Sequence, residues 1–594
     1  MKYTIPVVAV CLLSCFAAQS EDTRTPNDID YSMYFNADIR DAEFCELTYS
    51  KTNKKYQYGK NVTNPAMTCP DAFSWQLFTQ VVNDRFWSNW AEERANWPEY
   101  PYPLCSESES PAKNKCCTPG SASNNKEHCP TFPAKQYART LKKLNHFSDK
   151  KAQSLLSEHS ELIPTGRPSV LSAMRNKNLK AHGEITGTNI CTPAQVEHVK
   201  RVLIPKSGYE SKGRIIRQIN SEVTVRNLPF HDYLFRNNLY NADGVLDVFE
   251  NNNKNQQKNA PFHSRNQSVM QDTTATKAKL STIDLPPDAI MIKSNWLYHE
   301  FATELGYPQD TNRYISKTLK TSVCLAEDKD PTSCNAKEKP ENFCDIVGKH
   351  YLLAFHISSK DIPQWVWTTF EHVDNFGRCD FTGCNDAFGF NRKAESKDDV
   401  GLNYVSPKQR SDELNSPSIV YNRDLKYEAE EMSASLRALL KNTGIAQGQS
   451  TSEHEPDPED SAWSHFRLKG SQVNFTDHMG HSTLLGNSIT EGGFMQQSSC
   501  ISCHSRAGVH KVMKEITADG ETKQVKTADF FKLSVFERQL SDFGYQQSVH
   551  NVPKSEWFYN NNDKATLDVL QTDFIWGFLF ASPLCTSESG EECD

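Results

Sequence analysis

The chain has 594 residues, which is too many for one compact core, so two or more domains are expected. Hydrophobic residues make up 37% of it and charged residues 23%, as in an ordinary globular protein of slightly polar composition. The formal net charge is −9 and no long run of Lys or Arg occurs, which argues against nucleic-acid binding, because phosphate recognition needs a concentrated basic face.

Residues 1–20 have the pattern of a secretory signal peptide. Lys2 precedes an apolar run that ends at Ala18 and is shorter than the about 20 residues that span a bilayer. Small residues at Ala18 and Ser20 suit cleavage by a signal peptidase. An alternative is a lipoprotein signal in which Cys15 is acylated. No later segment is long and apolar enough to cross a membrane, so the mature protein is predicted to be periplasmic or secreted, with or without that lipid anchor.

The number of cysteines agrees with export. Of the 18 cysteines, Cys11 and Cys15 lie in the predicted signal, and Cys500 and Cys503 belong to a motif described below, so that 14 remain. Abundant cysteine in an exported chain is typical of disulfides. The sequence therefore predicts that these remaining cysteines are mostly paired.

In the predicted N-terminal region, 21–250, which is rich in aromatic residues and cysteine, Trp and Tyr are most frequent from about residue 30 to residue 105. The spacing of several aromatic residues there suits a helix face packed in the core, which is favoured over a ligand-binding cage. They are Trp75, Phe78, Phe86, Trp87, Trp90 and Trp97. The following segment, 105–129, has the composition of a loop and includes Cys105, Cys116, Cys117 and Cys129. Disulfides are favoured there over a zinc site with His128, because the spacing matches no common zinc finger.

Further along this region, apolar alternation predicts a strand followed by a short helix. The alternating residues are Ile216, Ile219, Val223 and Val225. The helix is predicted from Pro229 to Tyr240, with a stop near Asp243 and Gly244. Residues 251–281 are polar and nearly without aliphatic side chains, which is typical of a linker or a mobile excursion.

The central region, 282–445, contains three short β-branched and aromatic runs that predict a sheet, near residues 289, 350 and 364. The cysteines around these runs are predicted to form disulfides that reinforce the sheet. They are Cys324, Cys334, Cys344, Cys379 and Cys384. A second polar segment, 444–462, precedes the C-terminal region, 463–594.

The C-terminal region contains the sequence CISCH, in which Cys500 and Cys503 are followed directly by His504. Covalent haem attachment needs two thiols that reach two vinyl groups and an imidazole beside the iron, and a C-x-x-C-H motif that opens a helix supplies all three. With 18 Cys and 18 His in 594 residues, the pattern is rarely expected by chance. The residues that flank the motif do not suit a thioredoxin-like redox pair. A disulfide between Cys500 and Cys503 would close a small, strained ring. A zinc site would need a second pair of ligands with matching spacing, and the sequence has none.

This motif resembles that of the c-type cytochromes. Two longer stretches, LLGNSITEGGFMQQSSCISCHSRAG and WVWTTFEHVDN, are similar to parts of large exported bacterial proteins with a single C-terminal c-type haem. The resemblance extends from about Lys212 to the C-terminus. It implies one covalent haem c, with thioethers at Cys500 and Cys503 and with His504 as the proximal iron ligand.

The sixth iron ligand departs from the pattern of small soluble cytochromes c, in which a methionine well downstream of the motif fills that position. Met513, predicted to lie on the motif helix, and His510 are too close to the motif to reach around the porphyrin. His550 is far enough downstream and is the predicted distal ligand. The alternatives are a five-coordinate iron with an open face or one of the upstream residues His478, Met479, His481 and Met495.

The last aromatic segment, Thr566 to Cys585, is predicted to be a helix that packs over the motif helix. Its aromatic residues are Phe574, Trp576, Phe578 and Phe580. Cys585 and Cys593 are predicted to pair and to hold this end of the chain in place.

One other histidine is a candidate for acid–base chemistry. His372 lies beside Glu371 and close to Asp374, although a partly exposed histidine with a structural role is favoured. The sequence contains no G-x-G-x-x-G, P-loop, H-E-x-x-H or G-x-S-x-G motif, so nucleotide-binding, zinc-protease and hydrolase functions have no support.

The predicted fold is α+β, with a disulfide-stapled N-terminal and central α+β region and a small, mainly helical, cytochrome c-like C-terminal segment. The predicted function is that of an exported mono-haem c-type cytochrome that exchanges single electrons with a redox partner protein. The alternatives are a haem-dependent oxidoreductase acting on peroxide, oxygen or a nitrogen oxide, and a ligand-binding protein with a structural or sensory haem. The sixth ligand decides between them, since a closed iron favours electron transfer and an open one favours chemistry.

Overall fold

The structure is a computed structural model that mixes helices and antiparallel sheets. It describes residues 45–53, 55–59, 62–133, 165–166, 190–203, 216, 219–257, 280–326, 340–376, 378, 384, 386–389, 432–450, 456–476, 482–492, 495, 498–518, 521–529, 552–554, 557–559 and 566–585. The predicted signal and the acylation site at Cys15 lie outside these residues.

The helices and strands are numbered here in chain order. The α-helices are α1 (Pro65–Thr68), α2 (Pro70–Asn83), α3 (Phe86–Asn89), α4 (Glu93–Asn96), α5 (Pro193–Leu203), α6 (Leu228–Arg236), α7 (Ala242–Gln257), α8 (His299–Glu304), α9 (Ala434–Thr443) and α10 (Cys500–His504). The strands are β1 (Thr48–Ser50), β2 (Lys55–Gln57), β3 (Ala91–Glu92), β4 (Thr165–Gly166), β5 (Ser221–Arg226), β6 (Ile290–Tyr298), β7 (Ser316–Cys324), β8 (Phe343–Ser359), β9 (Val366–His372), β10 (Phe466–Gln472), β11 (Gly508–Ala518), β12 (Glu521–Asp529) and β13 (Val569–Gln571). Short 3-10 helices occur at Thr311–Arg313, Pro340–Asn342, Ser461–His465 and Trp576–Phe580.

An eight-stranded sheet is the centre of the described structure. Six of its strands are hydrogen-bonded in the order β10-β9-β8-β6-β5-β3, while β7 pairs with the first half of β8 and β4 pairs with β7. Every pair is antiparallel except β4 with β7. The three runs predicted as strands near residues 289, 350 and 364 form β6, β8 and β9, so this part of the sequence prediction is confirmed.

One face of this sheet is apolar, because alternate residues of a strand point to the same side. The apolar residues are Val223 and Val225 of β5, Ile290 and Ile292 of β6, Phe355 and Ile357 of β8, Val366 and Phe370 of β9, and Phe466 and Leu468 of β10, all in one buried cluster. Helix α9 covers part of this face with Leu436 and Leu439. Its N-cap is Ser433, whose hydroxyl accepts a hydrogen bond from the Leu436 N–H at 3.0 Å, and its C-cap is Gly444, with φ 80°.

Helix α2 packs on the same apolar face and is buried on most of its own surface. Pro70 fits its first turn, where an N–H has no helical partner, and Asp71 there suits the helix dipole. The ring centroids of Trp75 and Phe78 lie 5.1 Å and 4.9 Å from that of Phe370 on β9. All six aromatic residues predicted to pack in the core are buried, which confirms that interpretation.

A second buried cluster lies on the opposite side of the sheet and joins distant parts of the chain. It includes Trp97, Phe230, Ile501, Phe574 and Phe578. The C-terminal aromatic segment therefore packs against the motif helix α10 as predicted, but it does so as the short strand β13 and a 3-10 helix rather than as the predicted α-helix. The domain boundaries at residues 250, 282, 445 and 463 stay a prediction.

The mainly helical C-terminal segment is not confirmed. In the described part of residues 463–594 the only α-helix is α10, which has five residues. Strand β10 of the large sheet precedes it, and β11, β12 and β13 form a separate three-stranded antiparallel sheet after it. Met513, expected on the motif helix, lies instead in β11.

The strand and helix predicted near residues 213–244 need two corrections. Ile216 and Ile219 lie before β5 rather than in it, because the Asn220 N–H bonds the Ile216 carbonyl at 2.8 Å and closes a helical turn. The predicted stop near Asp243 is instead the start of α7, since the Asn241 side chain accepts a hydrogen bond from the Gly244 N–H at 2.8 Å. Helix α7 also extends into the predicted linker as far as residue 257.

Disulfides are numerous, as predicted. They join Cys45 to Cys69, Cys105 to Cys116, Cys117 to Cys129 and Cys191 to Cys344, and further disulfides involve Cys324, Cys384 and Cys585. Two of them staple the loop 105–129, so a zinc site there is excluded, and His128 stacks on Tyr102 instead. Cys593, the predicted partner of Cys585, lies outside the described residues. None of the described helices combines the length and the apolarity that a bilayer span requires.

We predict that removal of the Phe78 side chain destabilises the whole sheet. Phe78 is fully buried among the rings of α2, β8 and β9. Phe78→Ala should lower the free energy of unfolding by about 3–5 kcal/mol, because it removes apolar contacts and leaves a cavity. Leu228→Ala is the control, since Leu228 is 50% exposed and its truncation should cost less than about 0.5 kcal/mol. Equal effects in denaturant unfolding would contradict this assignment of the core.

Candidate functional site

The face of the large sheet opposite the apolar one is polar. It carries the alternate residues of the same strands: Glu222, Thr224 and Arg226 of β5, Met291 and Lys293 of β6, His356 and Ser358 of β8, and Trp367 of β9. All of these side chains line one cavity. The pleat that places valine, isoleucine and phenylalanine in the first core thus places charged groups on this side.

Residues 482–492 cross this polar face and are hydrogen-bonded to it. The Asn487 amide donates to Thr369 Oγ1 at 3.0 Å. Ser488 donates to the Glu371 carboxylate from its backbone N–H at 3.0 Å and from its hydroxyl at 2.6 Å. The segment GNSIT therefore docks through side chains that alternate along β9, and it carries the chain into the CISCH motif.

The motif helix α10 is attached to the edge of the same sheet. The Ile501 N–H donates to the side-chain oxygen of Gln472, the last residue of β10, at 2.9 Å. The Leu485 N–H bonds the Ser498 carbonyl at 3.0 Å just before the helix. Ile501 itself is fully buried in the second core. These contacts hold a five-residue helix that would be far too short to be stable alone.

Cys500, Cys503 and His504 all line the cavity. The cavity is open to solvent on one side. The sheet forms one wall, the motif helix another, and Trp576, Gly577 and Phe580 of the C-terminal segment a third. The structure thus brings the three predicted site residues together in a partly enclosed space.

The two cysteines of the motif differ from the other described cysteines, because neither of them is in a disulfide. The Cys500 Sγ lies 3.5 Å from the Leu485 carbonyl oxygen. Burial, reinforced by Glu491, raises the pKa of the Cys500 thiol well above its usual value. This raised pKa favours the protonated thiol of Cys500 at neutral pH.

His504 has a fixed tautomer. Its Nδ1 lies 2.8 Å from the carbonyl oxygen of Phe574. A carbonyl can only accept, so Nδ1 carries the proton and Nε2 keeps its lone pair. Burial lowers the pKa of His504 to about 3, so the imidazole is neutral at pH 7. The Trp367 ring lies 4.3 Å from the His504 ring, centroid to centroid. A neutral imidazole with a backbone-bound Nδ1–H is the form in which histidine binds a metal.

Charged groups share the cavity in pairs. Lys293 lies 3.0 Å from Glu222, and Arg226 lies 2.8 Å from Glu93. Burial alone would lower the pKa of Lys293, but Glu222 and Glu491 outweigh it, and the net pKa is raised. Burial would raise the pKa of Glu491, but His356, the Asn487 N–H and Lys293 outweigh this effect, and the net pKa of Glu491 is lowered. The cavity therefore holds ionised groups beside the motif.

The predicted distal ligand, His550, lies outside the described residues, as do the alternatives His478, Met479 and His481. Met495 is described, and its sulfur lies 2.8 Å from the Lys469 amine. His510 is in β11, where its Nδ1 contacts the Asp568 carbonyl at 2.8 Å. Neither Met495 nor His510 is among the residues that line the cavity.

His372 has a structural role, as favoured from the sequence, but the predicted partial exposure is wrong. It is fully buried, its Nε2 lies 2.9 Å from the Arg313 carbonyl, and its Nδ1 accepts from the Asp374 N–H at 3.2 Å. Glu371 is next to it in β9 and so points to the opposite face, where it binds Ser488. The three residues therefore do not form one acid–base group.

Several residues of the site were not identified from the sequence. They are Glu93, Glu222, Arg226, Lys293, His356 and Glu491, all of which line the cavity. Glu222 and Arg226 carry a readable signal, since polar residues at every second position of β5 mark a polar buried face. Glu93 and Glu491 have no such signal, because long-range packing alone brings them to the cavity.

No family model, curated protein or solved structure matches this chain. Among the described residues, no three His, Cys, Asp or Glu side chains converge on a position suited to a metal ion.

We predict that His372 makes stability depend on pH. Burial lowers the pKa of His372 to about 4, from 6.5 for an exposed histidine. Below pH 6.5 the unfolded chain binds a proton that the folded chain does not, so stability falls as the pH is lowered towards 4. The loss attributable to this residue at pH 4.5 is about 2 kcal/mol.

The measurement compares the free energy of unfolding of wild type and His372→Gln at pH 7 and pH 4.5. The difference in free energy of unfolding between the two proteins should be smaller at pH 4.5, because only the wild type loses the stability that depends on a neutral His372. Tyr307→Phe is the control, since it removes a hydroxyl 3.2 Å from neighbouring Asn375 and tyrosine hydroxyls do not titrate in this range. A cost of His372→Gln that does not change with pH would refute the assignment.

Proposed function

We propose that this protein is an exported mono-haem c-type cytochrome, with one haem c attached to Cys500 and Cys503 and with His504 as the proximal iron ligand. The observation that carries the proposal is the joint position of these residues. Two cysteines outside any disulfide and a neutral histidine line one cavity, in a chain whose other described cysteines are disulfide-bonded.

The residues around the cavity fit such a group. A bound haem would supply a one-electron iron couple and four of the iron ligands, so that the protein needs to provide only one or two more. The Phe574 carbonyl fixes the His504 tautomer, which leaves Nε2 available to iron. Trp367, Trp576 and Phe580 line the cavity and would provide aromatic surface for a flat macrocycle. The disulfides support an oxidising compartment, such as the periplasm or the exterior.

Single-electron transfer to or from a redox partner protein is the function we propose for this site. His550 stays the proposed distal ligand, since two strong axial ligands keep the iron coordination unchanged during electron transfer. The alternative is a ligand-binding protein with a structural or sensory haem, in which the region of the large sheet would bind the ligand.

A haem-dependent oxidoreductase acting on peroxide, oxygen or a nitrogen oxide is the second candidate function. One observation favours it: ionised Lys293 and Glu491 line the same cavity as the motif. Charged groups held next to a reactive centre can orient a small polar substrate and hold or release a proton.

The first test of the proposal is covalent attachment. Protein produced in a host with c-type maturation should keep its haem stain on a denaturing gel and give a c-type pyridine haemochrome. Cys500→Ser with Cys503→Ser should lose both signals. Cys105→Ser with Cys116→Ser is the matched control, because it also removes two cysteines but lies in the stapled loop. Extraction of all colour from wild type into acidified acetone would exclude a haem c.

The second test concerns the sixth ligand. If His550 binds the iron, the wild type is low-spin, and His550→Ala becomes high-spin and binds carbon monoxide readily. Optical and EPR spectra give the spin state, and His510→Ala serves as the control histidine. A low-spin spectrum that survives His550→Ala would assign the ligand elsewhere, whereas a high-spin wild type that binds peroxide would favour the oxidoreductase.

A further inference from the structure

We propose that Asp573 is the positioning residue for His504: its buried carboxylate holds the turn whose Phe574 carbonyl fixes the His504 tautomer. The effect on a bound haem rests on the proposed function, whereas the tautomer of His504 can be measured without haem.

The turn that contacts His504 has an unusual backbone. Asp573 has φ 49° and Phe574 has φ 67°, and the Ile575 N–H bonds the Thr572 carbonyl at 2.9 Å. Two consecutive residues at positive φ are the pattern of a type I′ turn, in which Gly and Asn are preferred. A phenylalanine in this conformation is strained, and such strain persists only where the surroundings hold the backbone firmly. Something outside the turn must therefore stabilise it.

The Asp573 side chain provides that stabilisation. Its Oδ2 accepts a hydrogen bond from the Leu285 N–H at 2.7 Å, and its Oδ1 accepts one from Trp365 Nε1 at 3.3 Å. The Lys360 ammonium forms an ion pair with the same carboxylate. Lys360 is itself held by the Pro363 carbonyl at 3.0 Å. The carboxylate is thus tied to the β8–β9 connection and to the residues before β6.

The other side of the turn is bonded to the residues that directly follow the motif helix. The Thr572 N–H donates to the Ala507 carbonyl at 3.0 Å, and the Gln571 side chain donates to the Ser505 carbonyl at 2.9 Å. The Phe574 carbonyl then meets His504 Nδ1 at 2.8 Å. Asp573 therefore acts on His504 through one strained peptide, although it does not touch the imidazole.

This arrangement predicts what loss of the carboxylate does. Without Asp573 the turn relaxes to negative φ, and the Phe574 carbonyl rotates away from Nδ1. His504 then loses the partner that selects its Nδ1–H tautomer. Since one buried hydrogen bond shifts such an equilibrium by roughly tenfold, the fraction of the Nε2–H form should rise by about that factor.

The experiment measures the tautomer in haem-free full-length protein by ¹⁵N NMR with selectively labelled histidine. Wild type should show the Nδ1–H form of His504, Asp573→Ala a mixture, and Asp573→Asn an intermediate ratio. Asp243→Ala is the matched control, because its carboxylate accepts a hydrogen bond from the Leu584 N–H at 2.6 Å in the same C-terminal segment without contacting the turn.

A wild-type tautomer ratio in the folded Asp573→Ala variant would overturn the proposal, even with a lowered melting temperature. Where Asp573→Ala does not fold, an unchanged ratio in Asp573→Asn would overturn it equally. In haem-loaded protein, Asp573→Ala should also shift the EPR g-values and the reduction potential, and Asp243→Ala should not. Wild type that takes no haem would refute the proposed function and leave the tautomer result standing.

Discussion

Successive side chains of a β-strand point to opposite faces of the sheet, and the rest of this structure depends on that alternation. In β5, for example, Val223 and Val225 face the first core, while Glu222, Thr224 and Arg226 face the cavity. A slip of one residue in any central strand would place charges in the aromatic core and valines in the cavity. The register that stabilises the sheet is therefore also the register that builds the site.

Burial of so many ionisable groups on one face has a cost that the structure offsets by pairing. Lys469 and Glu371 lie 3.7 Å apart with both side chains fully buried, and Glu371 is also bonded to Ser488. Such a pair adds little net stability, but removal of one member leaves an uncompensated charge. The apolar face thus supplies the stability of the sheet. The polar face determines where residues 482–492 dock, and with them the motif helix.

The sequence predicted this sheet better than it predicted the site. Strands β6, β8 and β9 were identified because their apolar residues are local and continuous. The motif was identified because Cys500, Cys503 and His504 are close in sequence. The hydrogen-bond partner of His504 could not be predicted from the sequence. It is the backbone carbonyl of Phe574, 70 residues away, and a backbone carbonyl is present at every residue whatever its side chain. The C-terminal segment was predicted as a helix from its aromatic spacing, but pairing of β13 with β11 and the turn at Asp573 overrode that local preference.

The surroundings of Cys500 disfavour its oxidation to a disulfide in this cysteine-rich chain. Thiol–disulfide exchange proceeds through the thiolate, so a thiol whose pKa is raised reacts slowly with its oxidised neighbours. Burial and the nearby Glu491 carboxylate raise the pKa of Cys500, and Glu491 is held there by the Asn487 N–H at 2.7 Å. The docked segment 482–492 therefore does two things at once. It positions the motif helix against the sheet, and it brings a negative charge to the cavity that disfavours the thiolate through which Cys500 would be oxidised.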